Sequence, residues 1–226
     1  MGKLSILSDS SESFKNRKEA GKLLAAVLRG LPGKDTVVLG IPRGGMVVAN
    51  EIFRVLNSEL DIVLSRKIGA PGNPELAIGA VAEDGKLFLN EELAFHAGAD
   101  KTYVGIEKTR QLTEIKNRRQ LFRQYKAKVS LKGKTVIVTD DGVATGATMQ
   151  AALWISRQEE PKKLIAAVPV GAQESVERLA DYADELIVLR APRYLNAIGQ
   201  FYEHFDQTSD QEVLEILQEA AKTIKP

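Results

Sequence analysis

Thr135-Val136-Ile137-Val138-Thr139-Asp140-Asp141-Gly142-Val143-Ala144-Thr145-Gly146-Ala147-Thr148 is the stretch whose chemistry decides the fold. It begins as an apolar, β-branched run of strand length. Two adjacent carboxylates follow, then small residues and hydroxyls. Met149-Gln150-Ala151-Ala152-Leu153-Trp154 then reads as a helix. The segment is therefore a strand, an acidic edge, a tight loop and a helix N-terminus. A Gly- and Thr-containing loop opening a helix is a cradle for phosphate, because backbone N–H groups point outward and the helix dipole favours an anion. The two Asp upstream cannot serve the same phosphate, since like charges repel. They suit a polyol whose hydroxyls donate to carboxylates, or a metal already carrying phosphate. Phosphate at one end and a diol at the other describe a sugar phosphate.

The same segment resembles the signature of the type I phosphoribosyltransferases: an apolar strand, two acidic residues, a short variable stretch, then Thr-Gly-x-Thr. The resemblance implies that Asp140 and Asp141 hold the ribose 2′- and 3′-hydroxyls of phosphoribosyl pyrophosphate (PRPP). It implies that Thr145, Gly146, Ala147 and Thr148 hold the 5′-phosphate. An ordinary strand-turn-helix with a polar cap is the plainer alternative.

Upstream, Thr36-Val37-Val38-Leu39-Gly40 reads as a short buried strand running into Ile41-Pro42-Arg43-Gly44-Gly45 and then a helix from Met46. Two glycines let a ligand approach the backbone closely, and Arg43 can fork onto a phosphate. In the resemblance this is the pyrophosphate loop, with Arg43, Gly44 and Gly45 as ligands and a cis peptide expected between Pro42 and Arg43. Asp61 to Ser65 reads as a third strand ending at Arg66-Lys67. The resemblance gives that pair a role on pyrophosphate; solvated cations at a strand end are the competing reading. Ile68 to Glu75 is rich in Gly and Pro and reads as an exposed loop, where the family carries a lid that excludes water. Ala77–Ala82 and Leu87–Asn90 read as a hairpin about an Asp84-Gly85 turn. Glu91 to Tyr125 reads as helical, with Ile106, Thr109, Leu112, Ile115, Arg119 and Phe122 on one face. Its basic stretch, Arg118, Arg119 and Arg123, reads as solvated or as a dimer surface.

Helices are also expected over Phe14–Leu31, with Ser13 as cap, over Gln173–Tyr182, and over Gln211–Lys222, capped by Asp210. Strands are expected over Lys163–Gly171 and Glu185–Leu189. Strands alternating with helices predict an α/β fold, a doubly wound and mainly parallel sheet flanked by helices. A single domain over residues 1–226 is expected, with a core of about 36–189 and a C-terminal hood of about 190–226. The hood is expected to be built from the chain termini and an inserted hairpin. The tail is the aromatic-rich part of the chain. Tyr202, in Ile198-Gly199-Gln200-Phe201-Tyr202, is the aromatic that the resemblance puts over an acceptor base; packing of the tail onto the core is the competing reading.

Composition sets the outer bounds. The chain has 226 residues, is 44% hydrophobic and 27% charged, and carries a net charge of +1. That balance gives no nucleic-acid footprint. It has no Cys, which excludes disulfides and thiolate chemistry, and its two His, His96 and His204, give no metal cluster or Ser-His-Asp triad. The apolar runs are far shorter than a membrane span and the start lacks a signal-peptide pattern, so a cytoplasmic protein without a membrane partner is expected. The resemblance implies Mg²⁺ bound mainly through PRPP, no metal-ligating residue of the protein, a small-molecule base as acceptor, and a homodimer. Ala144 stands where 6-oxopurine enzymes carry Asp, whereas Pro-Arg-Gly-Gly leans toward the xanthine/guanine members, so the acceptor stays open. A non-catalytic PRPP sensor uses the same motifs, though this chain lacks a basic recognition helix; PRPP-making pyrophosphokinases join two copies of the fold in a longer chain.

Overall fold

The computed structural model describes residues 2–223. Ten main elements build the core. They are β1 (Lys3–Ile6), α1 (Arg17–Leu28), β2 (Thr36–Gly40), α2 (Gly44–Leu56) and β3 (Glu59–Ile62), then, after an excursion, β7 (Thr135–Thr139), α5 (Ala147–Arg157), β8 (Lys163–Val170), α6 (Gln173–Leu179) and β9 (Glu185–Arg190). The excursion holds β4 (Ser65–Ala70), β5 (Asn73–Ala82), β6 (Leu87–Leu89), α3 (Glu91–His96) and α4 (Lys101–Arg123), and the chain closes with α7 (Asp210–Thr223). Six strands form one sheet in the order β1-β9-β8-β7-β2-β3, and every pairing in it is parallel. Among the described residues no helix is long and apolar enough to cross a membrane.

The central strands read as continuous apolar runs because both faces are covered. Residues of β7 alternate: Ile137 packs with α1, α2 and α7, whereas Val136 and Val138 pack with α5 and α6. From β2 the chain crosses through α2 to β3 on one side, and from β7 it crosses through α5 to β8 on the other. The strand order thus reverses between β2 and β7, the position at which open α/β sheets form a crevice at their C-terminal ends. Register makes the neighbourhood tight, because Gly40 of β2 lies opposite Thr139 of β7.

Several expectations are corrected. The breaker-rich stretch Ile68–Glu75 is not a loop: β4 and β5 run through it as an antiparallel pair, and only Pro71 and Gly72 make the turn. Ile68 and Ala70 are buried, which holds the segment extended against the core. β4, β5 and β6 form a separate three-stranded sheet, so the inserted element is larger than a hairpin. The Asp84-Gly85 turn does join β5 to β6, with Gly85 at φ 85°. The third core strand begins at Glu59 and stops at Ile62, before Arg66. Helix α1 starts at Arg17, capped by Asn16 rather than Ser13, because Phe14 is held extended by a bridge to Tyr202. Ser209 rather than Asp210 caps α7, its Oγ accepting from the Glu212 amide at 3.1 Å. In α4 the buried residues are Val104, Ile115 and Phe122, while Ile106 is exposed. Residues 3–6, which carry too little pattern to read as a strand, form the edge of the main sheet beside β9.

Candidate active site

β7 ends at fully buried Thr139, and the acidic pair follows at the mouth of the crevice. The Asp141 amide donates to Asp140 Oδ1 at 2.8 Å, which fixes the first turn of the loop. Burial, reinforced by the neighbouring Asp141 carboxylate, pushes the Asp140 carboxyl well above its ordinary value. Asp141 is held differently. Arg17 Nε donates to its Oδ2 at 2.7 Å, while Arg17 Nη1 donates to the carbonyl of Asp206 at 2.7 Å. The same guanidinium lies 3.8 Å over the Phe205 ring.

The Pro42–Arg43 peptide is cis, as the resemblance implied. Its loop abuts the acidic pair directly. A Cβ on Gly44 would stand 1.9 Å from Asp141 Oδ2, and one on Gly45 would stand 2.8 Å from Asp140 Cα. The glycines thus make room for the acidic loop itself, a nearer cause than the ligand approach that the sequence suggests.

Gly146, at φ 83°, ends the loop and opens α5. Only glycine adopts that left-handed conformation without cost. The amides of Ala147, Thr148 and Met149 donate to no acceptor among the described residues, so the first turn of α5 keeps its donors free. Asp140, Gly142, Thr145, Gly146, Thr148 and Ile198 line a cavity of about 190 Å³ at this end. Thr145 and Thr148 are exposed to it and Ala147 is buried beneath them.

A second, wider cleft of about 490 Å³ adjoins the first through Thr148. Pro42, Arg66 and Lys67 line one side and Tyr103, Arg110 and Arg118 of α4 the other. Lys67 Nζ pairs with Glu75 at 2.8 Å, and that carboxyl is held below its ordinary value by Lys67 first and by the Thr145 hydroxyl last. Arg66 has a longer ion pair, 3.8 Å, to Glu114. Arg66, Lys67 and Thr148 thus line the wider cleft, Asp140, Thr145, Gly146 and Thr148 line the smaller cavity, and Gly44 and Gly45 lie against Asp141 and Asp140.

Tyr202 is a correction. It is only 6% exposed, its hydroxyl donates to the Asp141 carbonyl at 2.6 Å, and its ring stacks on Phe205 at 4.9 Å. Burial, with Asp141 adding, pushes its phenol far above its ordinary value. Its ring faces are used in packing, so it braces the acidic loop and offers no open face for a base. Arg17, Phe205 and Arg118 were not singled out as site residues from the sequence. Arg17 and Asp141 lie 124 positions apart, so no local pattern announces their pairing.

Residues 10–191 match the phosphoribosyl transferase domain family, and the chain belongs to that family. Two curated relatives from Mycobacterium tuberculosis strains, each carrying the name "Putative phosphoribosyl transferase", are 42% identical over 207 residues, covering 92% of this chain and 47% of theirs. The chain thus spans about half the length of the curated relatives it matches. The crystal structure of TT1426 from Thermus thermophilus is similar at 46% identity and a TM-score of 0.87, over 92% of this chain and 98% of that one.

Proposed function

We propose that the chain transfers the 5-phosphoribosyl group from PRPP to a nitrogenous acceptor, a nucleobase in the simplest case, and releases pyrophosphate. The observation that carries this reading is the abutment of the acidic pair and the Pro42–Gly45 turn beside the free N-terminus of α5. In this reading Asp140 and Asp141 accept hydrogen bonds from the ribose hydroxyls, with Arg17 and Tyr202 fixing the orientation of Asp141. The amides and hydroxyls of Thr145, Gly146, Ala147 and Thr148 bind the 5′-phosphate. Arg43, with the backbone of Gly44 and Gly45, meets the pyrophosphate, and Arg66 and Lys67 approach it from the β4 side. The acceptor nitrogen attacks C1 of the ribose as the bond from C1 to the pyrophosphate oxygen breaks, and the electron pair leaves with pyrophosphate. The protein contributes alignment of both ends and cations where negative charge develops.

Among the described residues no group of three or more His, Asp or Glu is arranged to hold a metal ion. The donor set fits Mg²⁺ that arrives on the donor's own oxygens, where it would further neutralise the pyrophosphate. The acceptor is a small molecule, and the same reading makes the protein a cytoplasmic homodimer.

Isotopic pyrophosphate exchange into PRPP, run with Mg²⁺ across a panel of bases, tests the proposal. Exchange with any base supports transfer. Tight PRPP binding with no exchange would turn the reading to a non-catalytic sensor, and absence of PRPP binding would overturn both.

A further inference from the structure

Helix α4 carries Lys116, Arg118, Arg119 and Arg123 in its second half, and the structure treats two of these arginines in opposite ways. Arg123 is fully partnered: its guanidinium donates to Asp61 Oδ1 at 2.7 Å and to Glu83 Oε1 at 2.7 Å. Arg118 has neither a hydrogen bond nor an ion pair within 4 Å of any described residue, yet it is half-buried. It lines the 490 Å³ cleft opposite Pro42, Arg66 and Lys67.

The cleft thus carries Arg66 and Lys67 on one wall and Arg110 and Arg118 on the other, with Glu107 of α4, ion-paired to Arg110 at 3.4 Å, as its lining carboxylate among the described residues. Arg43 forms no ion pair among the described residues, and Arg66 has only its 3.8 Å contact to Glu114. Like charges drawn together with their hydration partly removed are unfavourable without a counter-charge. Burial lowers the affinity of Arg118 for its proton, and Arg66 and Arg43 lower it further, with Asp210 and Glu114 opposing. The guanidinium nonetheless stays charged at neutral pH. Such an arrangement fits a ligand with several negative charges held between the walls.

We infer that Arg118, projecting from α4, is a third guanidinium for the departing pyrophosphate, facing Pro42 and Arg66 across the cleft. This rests on the phosphoribosyl-transfer reading. It adds a binding residue outside the motif segments, on a helix whose basic stretch looks from sequence like a solvated surface. The 5′-phosphate, at the α5 terminus, lies in the other cavity and does not depend on Arg118.

The two sites can be titrated separately by calorimetry, with magnesium pyrophosphate for one and ribose 5-phosphate for the other. Arg118→Gln is expected to weaken pyrophosphate about 10- to 100-fold, the range for losing a charge-assisted hydrogen bond. Ribose 5-phosphate affinity and the urea midpoint should not change. Arg118→Lys should recover part of the loss, because a point charge replaces a fork, and Arg119→Gln, on the exposed side, should bind both ligands as wild type does. Wild-type pyrophosphate affinity in Arg118→Gln overturns the assignment and leaves the transfer reading standing. Parallel loss of ribose 5-phosphate affinity and of the urea midpoint in both Arg118 variants also overturns it, since that is the signature of a structural arginine. Failure of the unmodified chain to bind either ligand overturns the transfer reading together with this one.

Discussion

Asp140 and Asp141 are neighbours in sequence with different electrostatic settings. Asp141 faces a guanidinium; Asp140 has lost water and faces a like charge. Replacing both by Asn should abolish PRPP binding in calorimetry while the protein stays folded. Their stability effects are separable by pH. The folded-state value of Asp140 is raised, so the stability tied to it is fully present below roughly pH 4 and is lost as pH rises through the folded value. Asp140→Asn alone should therefore be more stable than wild type to urea at pH 7, with the gap closing near pH 4. An equal gap at both pH values would contradict the assignment. Tyr202→Phe removes one buried hydrogen bond to the Asp141 carbonyl. It should cost about 1 kcal/mol in urea unfolding. The residue types at this site were legible in the sequence because strand, acids and Thr-Gly loop are contiguous. Tyr202 was misread because aromatic composition cannot distinguish a ring that stacks on a ligand from one that stacks on Phe205.

At the scale of elements, the excursion between β3 and β7 was the least legible. Gly and Pro between Ile68 and Glu75 read as a loop, yet two breakers suffice for a turn and the flanking residues are extended by burial and by pairing with one another. No window of sequence contains that pairing energy. Helix α4 was visible, and Leu112, Ile115 and Phe122 of its expected face do pack inward, but Ile106 turns out and Val104 in, because few apolar residues interrupt its charges and tertiary partners decide the first turns. Arg123 is the consequence. It ties α4 to buried Asp61, just before the end of β3, and to Glu83, just beyond β5. Arg123→Ala strands two carboxylates, one of them 1% exposed, and should cost roughly 3–5 kcal/mol in urea unfolding. Arg123→Ala together with Asp61→Asn should recover part of that cost.

For the molecule as a whole, the alternation of strands and helices was enough to predict a parallel doubly wound sheet, because few topologies satisfy that order. What alternation could not supply was how the two ends of the chain meet. The Phe14 amide donates to the Phe201 carbonyl, and the Glu203 amide returns to the Phe14 carbonyl. Phe14 itself is buried between Tyr202 and the Arg190 guanidinium. Phe14→Ala should cost roughly 3–5 kcal/mol by urea unfolding. It should also weaken PRPP in calorimetry, since Tyr202 would lose its backing behind Asp141. Loss of stability with undiminished affinity would show that the two ends brace the core and not the acidic loop.

The edge strand β1 has a consequence in the cell. Lys3–Ile6 leaves the ribosome long before Glu185–Arg190, its strand partner among the described residues. Until β9 is made it lacks that partner, and the acidic loop lacks the Tyr202 hydrogen bond until Tyr202 has emerged. Nascent chains halted upstream of β9 should therefore carry the signature residues and still fail to capture the sugar donor.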